Sequence, residues 1–162
     1  MSEDLLARPA VARVQAALIA AGSKGRVIAL AQTARTAEDA ARALGCELGA
    51  IVKTLVFAVE GRAVLALVAG DRRCNTMALA RALSLNGPVT RADAELVRQA
   101  TGQSIGGVAP LGHPARLPAA IDASLKRFTT VYAAAGHPHC VFPTSVSELE
   151  MVSGALSTEI GE

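Results

Sequence analysis

Two short stretches carry the residues that could do chemistry. Ser104-Ile105-Gly106-Gly107-Val108-Ala109-Pro110 opens on adjacent glycines and closes on a proline. Glycine lets backbone approach a ligand closely or take positive φ, and proline stiffens the far end. Such a loop can aim N–H groups at one point, as an anion or oxyanion site requires. A tight structural turn would read the same way. Lys53 is the second candidate. It sits inside Ile51-Val52-Lys53-Thr54-Leu55-Val56-Phe57, a β-branched apolar run. Alternation places Ile51, Lys53, Leu55 and Phe57 on one face and Val52, Thr54 and Val56 on the other. Both faces are apolar, which predicts an inner strand. The ammonium then either snorkels to solvent or stands at a pocket edge, available to a carbonyl, carboxylate or phosphate.

Other candidates are weaker. Asp71 and Asp122 each follow an apolar strand, where carboxylates serve active sites but also turns and helix caps. Ser104 is a conceivable nucleophile, yet no histidine is placed to activate it. His137-Pro138-His139-Cys140 invites a metal, but no second ligand pair stands at zinc spacing, so no metal is expected. No phosphate loop, dinucleotide fingerprint or nucleophile elbow is present, and no cofactor is expected.

The elements that must position these residues follow from periodicity and punctuation. A helix is expected over Leu5–Ala21, ended by Gly22 and Gly25, then a short strand at Val27–Leu30. Thr36 caps a helix that Gly45 ends. Strands over Ile51–Val59 and Ala63–Ala69 form a hairpin across Glu60-Gly61-Arg62. Helices follow from Asn75 or Thr76 to Leu83 and from Asp93 to Thr101, with a short strand near Val89-Thr90 between them. Leu117–Ile121 is apolar, Thr129–Ala134 and Cys140–Phe142 read as strands, and Thr144 or Ser145 caps the last helix. The final residues read as frayed. Irregular alternation with one clear hairpin predicts a mixed α/β (α+β) fold, not a doubly wound parallel one.

Composition narrows the function classes. The 162 residues make one ordinary domain, expected to span 1–162. Aromatics are only 2%, so the core is aliphatic and base stacking cannot dominate a nucleic-acid contact. A net charge of +2 does not describe a protein that coats DNA, though it leaves room for a local phosphate patch. Cys46, Cys74 and Cys140 are odd in number and scattered, which fits a reducing compartment. No signal peptide is visible in the acidic start, and no apolar run approaches the ~20 residues of a membrane span. A cytoplasmic location without membrane contact is expected.

Taken in order, several segments resemble a known family. They are Thr33-Ala34-Arg35-Thr36-Ala37-Glu38-Asp39-Ala40-Ala41, Val52-Lys53-Thr54-Leu55-Val56-Phe57 and Gly70-Asp71. Then come Thr101 to Gly112 around the glycine loop, Leu117 to Asp122, and Val131-Tyr132-Ala133-Ala134-Ala135-Gly136. The pattern is similar to the YbaK/EbsC family, relatives of the editing insertion domain of bacterial prolyl-tRNA synthetase, over about Arg13 to Leu149. The resemblance implies a mixed, partly barrel-like sheet ringed by helices. It implies a trans-editing deacylase that hydrolyses the ester of a mischarged amino acid on tRNA, tRNA-Pro above all. Mischarged tRNA is the expected partner, and prolyl-tRNA synthetase a further one.

Lys53 matches the family's functional lysine, and Gly106 and Pro110 match the ends of its GxxxP loop. Lys53, Gly106 and Gly107 are therefore the expected catalytic group. The expected substrate-binding set is Thr33, Thr36, Thr54, Asp71, Ser104, Ile105, Val108, Pro110, Asp122 and Gly136. Asp71 and Asp122 are expected to support the pocket and the loop. An aminoacyl ester is already activated, so orientation and oxyanion stabilisation suffice, and a free ribose hydroxyl would help activate water. Ala134-Ala135-Gly136-His137 departs from the Ser-Gly-Gly-Lys-like stretch of the cysteine-specific branch. Ala, Ser, Thr or 2-aminobutyrate is therefore expected ahead of Cys. Three rivals stay open: an inactive tRNA- or synthetase-binding module, a generic nucleic-acid binder, and a small-molecule esterase.

Overall fold

The computed structural model describes residues 2–31 and 34–162. Its centre is the expected hairpin, β2 (Ile51–Val59) and β3 (Arg62–Ala69), numbered after a short strand β1 (Ile28–Ala29). Glu60 and Gly61 turn it with positive φ of 51° and 78°, the backbone hand that suits a two-residue hairpin loop. Around it lie β4 (Thr90–Arg91), β5 (Ala119–Asp122), β6 (Val131–His137), β7 (Cys140–Thr144) and β8 (Leu156–Thr158). The sheet order is β1-β7-β6-β2-β3-β5-β8, with β4 paired to β2 off this path. β2 runs antiparallel to β3 and parallel to β6, and β3 runs parallel to β5. The sheet is mixed, as expected.

Six helices accompany the sheet among the described residues: α1 (Ser2–Leu6), α2 (Pro9–Ala20), α3 (Ala37–Leu44), α4 (Thr76–Ala82), α5 (Ala94–Thr101) and α6 (Val146–Ser153). The single helix expected over Leu5–Ala21 is two pieces. Pro9 has no N–H to donate, and it stands at the start of α2, where none is needed. The caps follow the sequence. Thr36, Asn75, Asp93 and Ser145 accept N–H bonds in the first turns of α3, α4, α5 and α6. Gly45, Gly102 and Gly154 end three of these helices in the left-handed conformation.

Alternation along β2 feeds two apolar layers. Val52 and Val56 pack with Val11, Val14, Leu18 and Phe142. Phe57 and Val59 pack with Leu79 and Ile160. Strand β2 is therefore interior, as both apolar faces predicted.

One correction concerns the C-terminus. It is not frayed. β8 extends the sheet beside β5, and Ile160 is fully buried. Asn75 N donates to Ile160 O at 2.7 Å, and Arg73 and Glu162 exchange backbone bonds at 2.9 and 2.8 Å. The buried Asp122 carboxylate anchors this tail, accepting from Gly161 N at 3.1 Å and from the Ser124 hydroxyl. Removing it takes a charged acceptor from two partly buried donors, which costs about 1–3 kcal/mol. Asp122→Ala is expected to lower the denaturant midpoint accordingly. An unchanged midpoint would show that the tail is held by other contacts.

Candidate active site

The site begins as a gap in the sheet. β3 holds one edge of β2 continuously from Val52 to Val59. On the other edge β6 pairs only at Ile51 and Val52, and β4 only at Phe57 and Ala58. Between them, no described strand pairs with Lys53 to Val56 on that edge. A cavity of about 350 Å³ occupies this slot. Its lining joins Lys53 and Thr54 from β2 to Ile105, Gly106 and Val108 from the glycine loop. Arg35 and Thr36 enter from the start of α3, Arg91 from β4 and Tyr132 from β6. Arg35, Lys53 and Arg91 line it, with no carboxylate among the described lining residues. The arrangement suits a ligand with an anionic end and a small apolar end.

The glycine loop is braced from below. Gln103 is buried and bonds across it, accepting from Ala109 N at 2.6 Å and donating to Leu111 O at 3.4 Å. Thr101 fixes Gln103, accepting its N–H at 3.0 Å while donating to Val97 O at 2.6 Å. His113 Nε2 donates to Ala109 O at 2.8 Å, and burial pushes its imidazole pKa down, which favours the neutral ring. Gly107 passes so close to His137 that a Cβ would lie 2.7 Å from backbone atoms of that residue. The Gly107 carbonyl accepts from Gly136 N at 2.8 Å. These contacts leave the loop little freedom.

They also sort its donors. Gly107 N is committed to Ser104 O at 3.3 Å and Ala109 N to Gln103. The N–H groups of Gly106 and Val108 have no acceptor among the described residues. Gly106, with φ of +97°, is therefore better placed than Gly107 to offer a free donor on the cavity wall.

Lys53 is half-buried on the other wall. Its Nζ donates to the Arg72 carbonyl, so the ammonium is held in place. Burial pushes its pKa below the ordinary lysine value, while Glu38 and Asp71 favour the charged form. Asp71 itself does not line the cavity. Arg127 clamps it with two bonds of 2.9 and 2.8 Å and holds its carboxyl below the usual range. That ion pair is half exposed and fixes the turn after β3, from which Arg72 reaches Lys53.

The remaining expected residues separate clearly. Thr36 and Thr54 line the cavity beside Lys53, and Ile105 and Val108 line it beside Gly106. Ser104, Pro110, Asp122 and Gly136 do not. Ser104 supplies a turn carbonyl, Pro110 is buried behind the loop, and Gly136 ties the loop to β6. Thr33 lies outside the described residues. His137 and His139 face each other edge-on at 5.4 Å, with His137 Nδ1 accepting from His139 N at 3.1 Å. No group of three metal-ligating side chains occurs among the described residues. Arg35, Arg91, Tyr132 and Gln103 were not singled out by sequence reasoning. Only Gln103 carried a local signal, as a long polar side chain just ahead of the glycines.

A slot thus opens the mixed sheet, with a lysine on one wall and a glycine–proline loop on the other. The comparisons give this arrangement a family. The aminoacyl-tRNA editing domain model matches residues 31–151, and the chain belongs to that family. The protein YwhH of Bacillus subtilis is 34% identical over 119 residues, 73% of this chain and 74% of its own. A proline–tRNA ligase of Maridesulfovibrio salexigens is 39% identical over 77 residues, which is 48% of this chain but 13% of the ligase. The solved structure of a proposed trans-editing enzyme for prolyl-tRNA synthetase superposes with a TM-score of 0.88 at 41% identity. It covers 95% of this chain and 98% of that one. No described helix is long and apolar enough to cross a membrane.

Proposed function

We propose that this chain is a single-domain deacylase acting in trans, which hydrolyses the ester of a small amino acid mischarged on tRNA-Pro. One observation carries the reading. Lys53 and the N–H of Gly106, unbonded among the described residues, belong to opposite walls of one cavity whose described lining holds three cations and no carboxylate. The cations suit the phosphates and ribose of the terminal adenosine. The small apolar part suits the aminoacyl group. Lys53 orients the substrate from its anchor on Arg72. Water attacks the ester carbonyl, and the Gly106 N–H stabilises the oxyanion as it forms. The bond from the carbonyl carbon to the ribose oxygen breaks, and that oxygen takes up the proton the water gives up. The neighbouring free ribose hydroxyl assists that transfer. No Ser-His-Asp set is needed, because the ester is already activated.

The test is a deacylation time course on tRNA-Pro charged separately with Ala, Ser, Thr, Cys, 2-aminobutyrate and Pro. Simple amino-acid esters are run beside them. Release of one or two small residues with Pro spared is the expected result. No release from any charged tRNA, with tRNA still bound, would replace the enzyme by a binding module. Equal turnover of simple esters would point to a small-molecule esterase.

A further inference from the structure

We propose that Thr54 selects the substrate's side chain, favouring a small amino acid with a β-hydroxyl, seryl over alanyl. This rests on the editing reading above. The Thr54 Oγ1 is buried and has no hydrogen-bond partner among the described residues. A polar atom in that state destabilises the fold unless something else satisfies it. Thr54 also lines the cavity.

The strand register adds two more unclaimed groups. Ile51 O accepts from Gly70 N on the β3 side at 2.7 Å. Backbone bonding alternates along a strand, so the odd residues of β2 face β3 and the even ones face the other edge. Val56 O, bonded to Ala92 N at 3.1 Å on the β4 side, obeys that parity. Thr54 N–H and C=O therefore face the slot, where neither β6 nor β4 reaches. One residue of the cavity lining therefore joins an unpaired hydroxyl to a backbone donor and acceptor that face the slot. The α-ammonium of an aminoacyl ester can take the carbonyl, and a side-chain hydroxyl can take Oγ1.

The surroundings sharpen the choice. Ile51, Ala92, Val97 and Val108 supply apolar lining, and the Thr36 hydroxyl is committed to Asp39 N at 3.1 Å. An alanyl methyl group would leave Oγ1 unpaired, whereas a seryl hydroxyl pairs with it. Sites built to bond a hydroxyl discriminate strongly against analogues that lack one.

The experiment compares release of Ser and Ala from tRNA-Pro by wild type, Thr54→Val and Thr54→Ser, alongside thermal midpoints. Wild type is expected to favour Ser. Thr54→Val should cut the Ser-to-Ala rate ratio by at least about tenfold, and Thr54→Ser should restore it. The valine variant should be no less stable than wild type, since it removes an unpaired buried hydroxyl. An unchanged ratio, a wild type that favours Ala, or a destabilised valine variant would overturn the assignment while leaving editing intact. A wild type that releases no small amino acid would overturn the editing reading itself.

Discussion

Lys53→Ala is expected to slow release of the mischarged amino acid by about 10²–10³-fold, the scale of losing one preorganised electrostatic contact. The ammonium is not a loose surface charge. Its half-buried stem belongs to an interior strand, and its head is tied to the Arg72 carbonyl beside the cavity. Burial disfavours the charge, and Glu38 and Asp71 recover only part of that loss. The pKa therefore lies below the ordinary 10.5. Release that depends on the ammonium should decline on the alkaline side earlier than an ordinary lysine would dictate, once spontaneous ester hydrolysis is subtracted. Stability moves the other way. Between the lowered value and 10.5 the unfolded chain binds more protons at this site, so stability rises with pH across that window. Wild-type rates from a folded Lys53→Ala variant would remove the lysine from the chemistry.

The residues that do this work were legible in the sequence to very different degrees. Lys53 announced itself because a cation inside a two-faced apolar strand has few explanations. The hairpin and the helix caps were equally local, since a turn residue or a capping hydroxyl acts within three or four positions. Gly106 and Pro110 were visible as a stiffened loop, but the loop's competent donor was not. That depends on Ser104 and Gln103 claiming the neighbouring N–H groups, which only the folded loop reveals.

The slot itself lay beyond sequence reasoning. It exists because β4 joins β2 from more than thirty residues away and β6 stops short at Val52. Neither event leaves a periodic trace in Lys53–Val56. Arg91 reaches the cavity only through the pairing of β4 with β2. Asp71 and Asp122, expected to support the pocket and the loop, are absent from the cavity lining, and their actual partners were hidden for a related reason. A strand-end carboxylate looks alike whether it faces a substrate, an arginine 56 residues away or a returning tail. The tail was misread because its apolar content is thin. Backbone pairing with Arg73 and Asn75, the Asp122 carboxylate and the single buried Ile160 hold it, and none of these makes a periodic pattern.

Gly107→Ala is expected to damage both the fold and the release of the mischarged amino acid. The added Cβ would lie 2.7 Å from the Cα and carbonyl carbon of His137 and 2.8 Å from its nitrogen. Those are backbone atoms of β6 and cannot rotate aside. The two segments are also clamped together, because Gly107 O accepts from Gly136 N at 2.8 Å next to the clash. Either the loop lifts off β6 or the bond breaks, and overpacking of this kind costs about 1–3 kcal/mol. The functional loss should exceed what stability explains. Gly106 would move with its neighbour, and a displacement near 1 Å at a reacting centre costs on the order of 10² in rate. Gly106→Ala separates the two causes. Its Cβ would meet only Pro138 Cγ at 3.9 Å, so its penalty arises from holding a side chain at φ +97°. Release rates and thermal midpoints for both variants decide the matter. A Gly107→Ala protein that melts lower yet hydrolyses at the wild-type rate would detach the loop from oxyanion stabilisation. A slow variant at temperatures where it is fully folded would tie the close approach of Gly107 to His137 directly to catalysis.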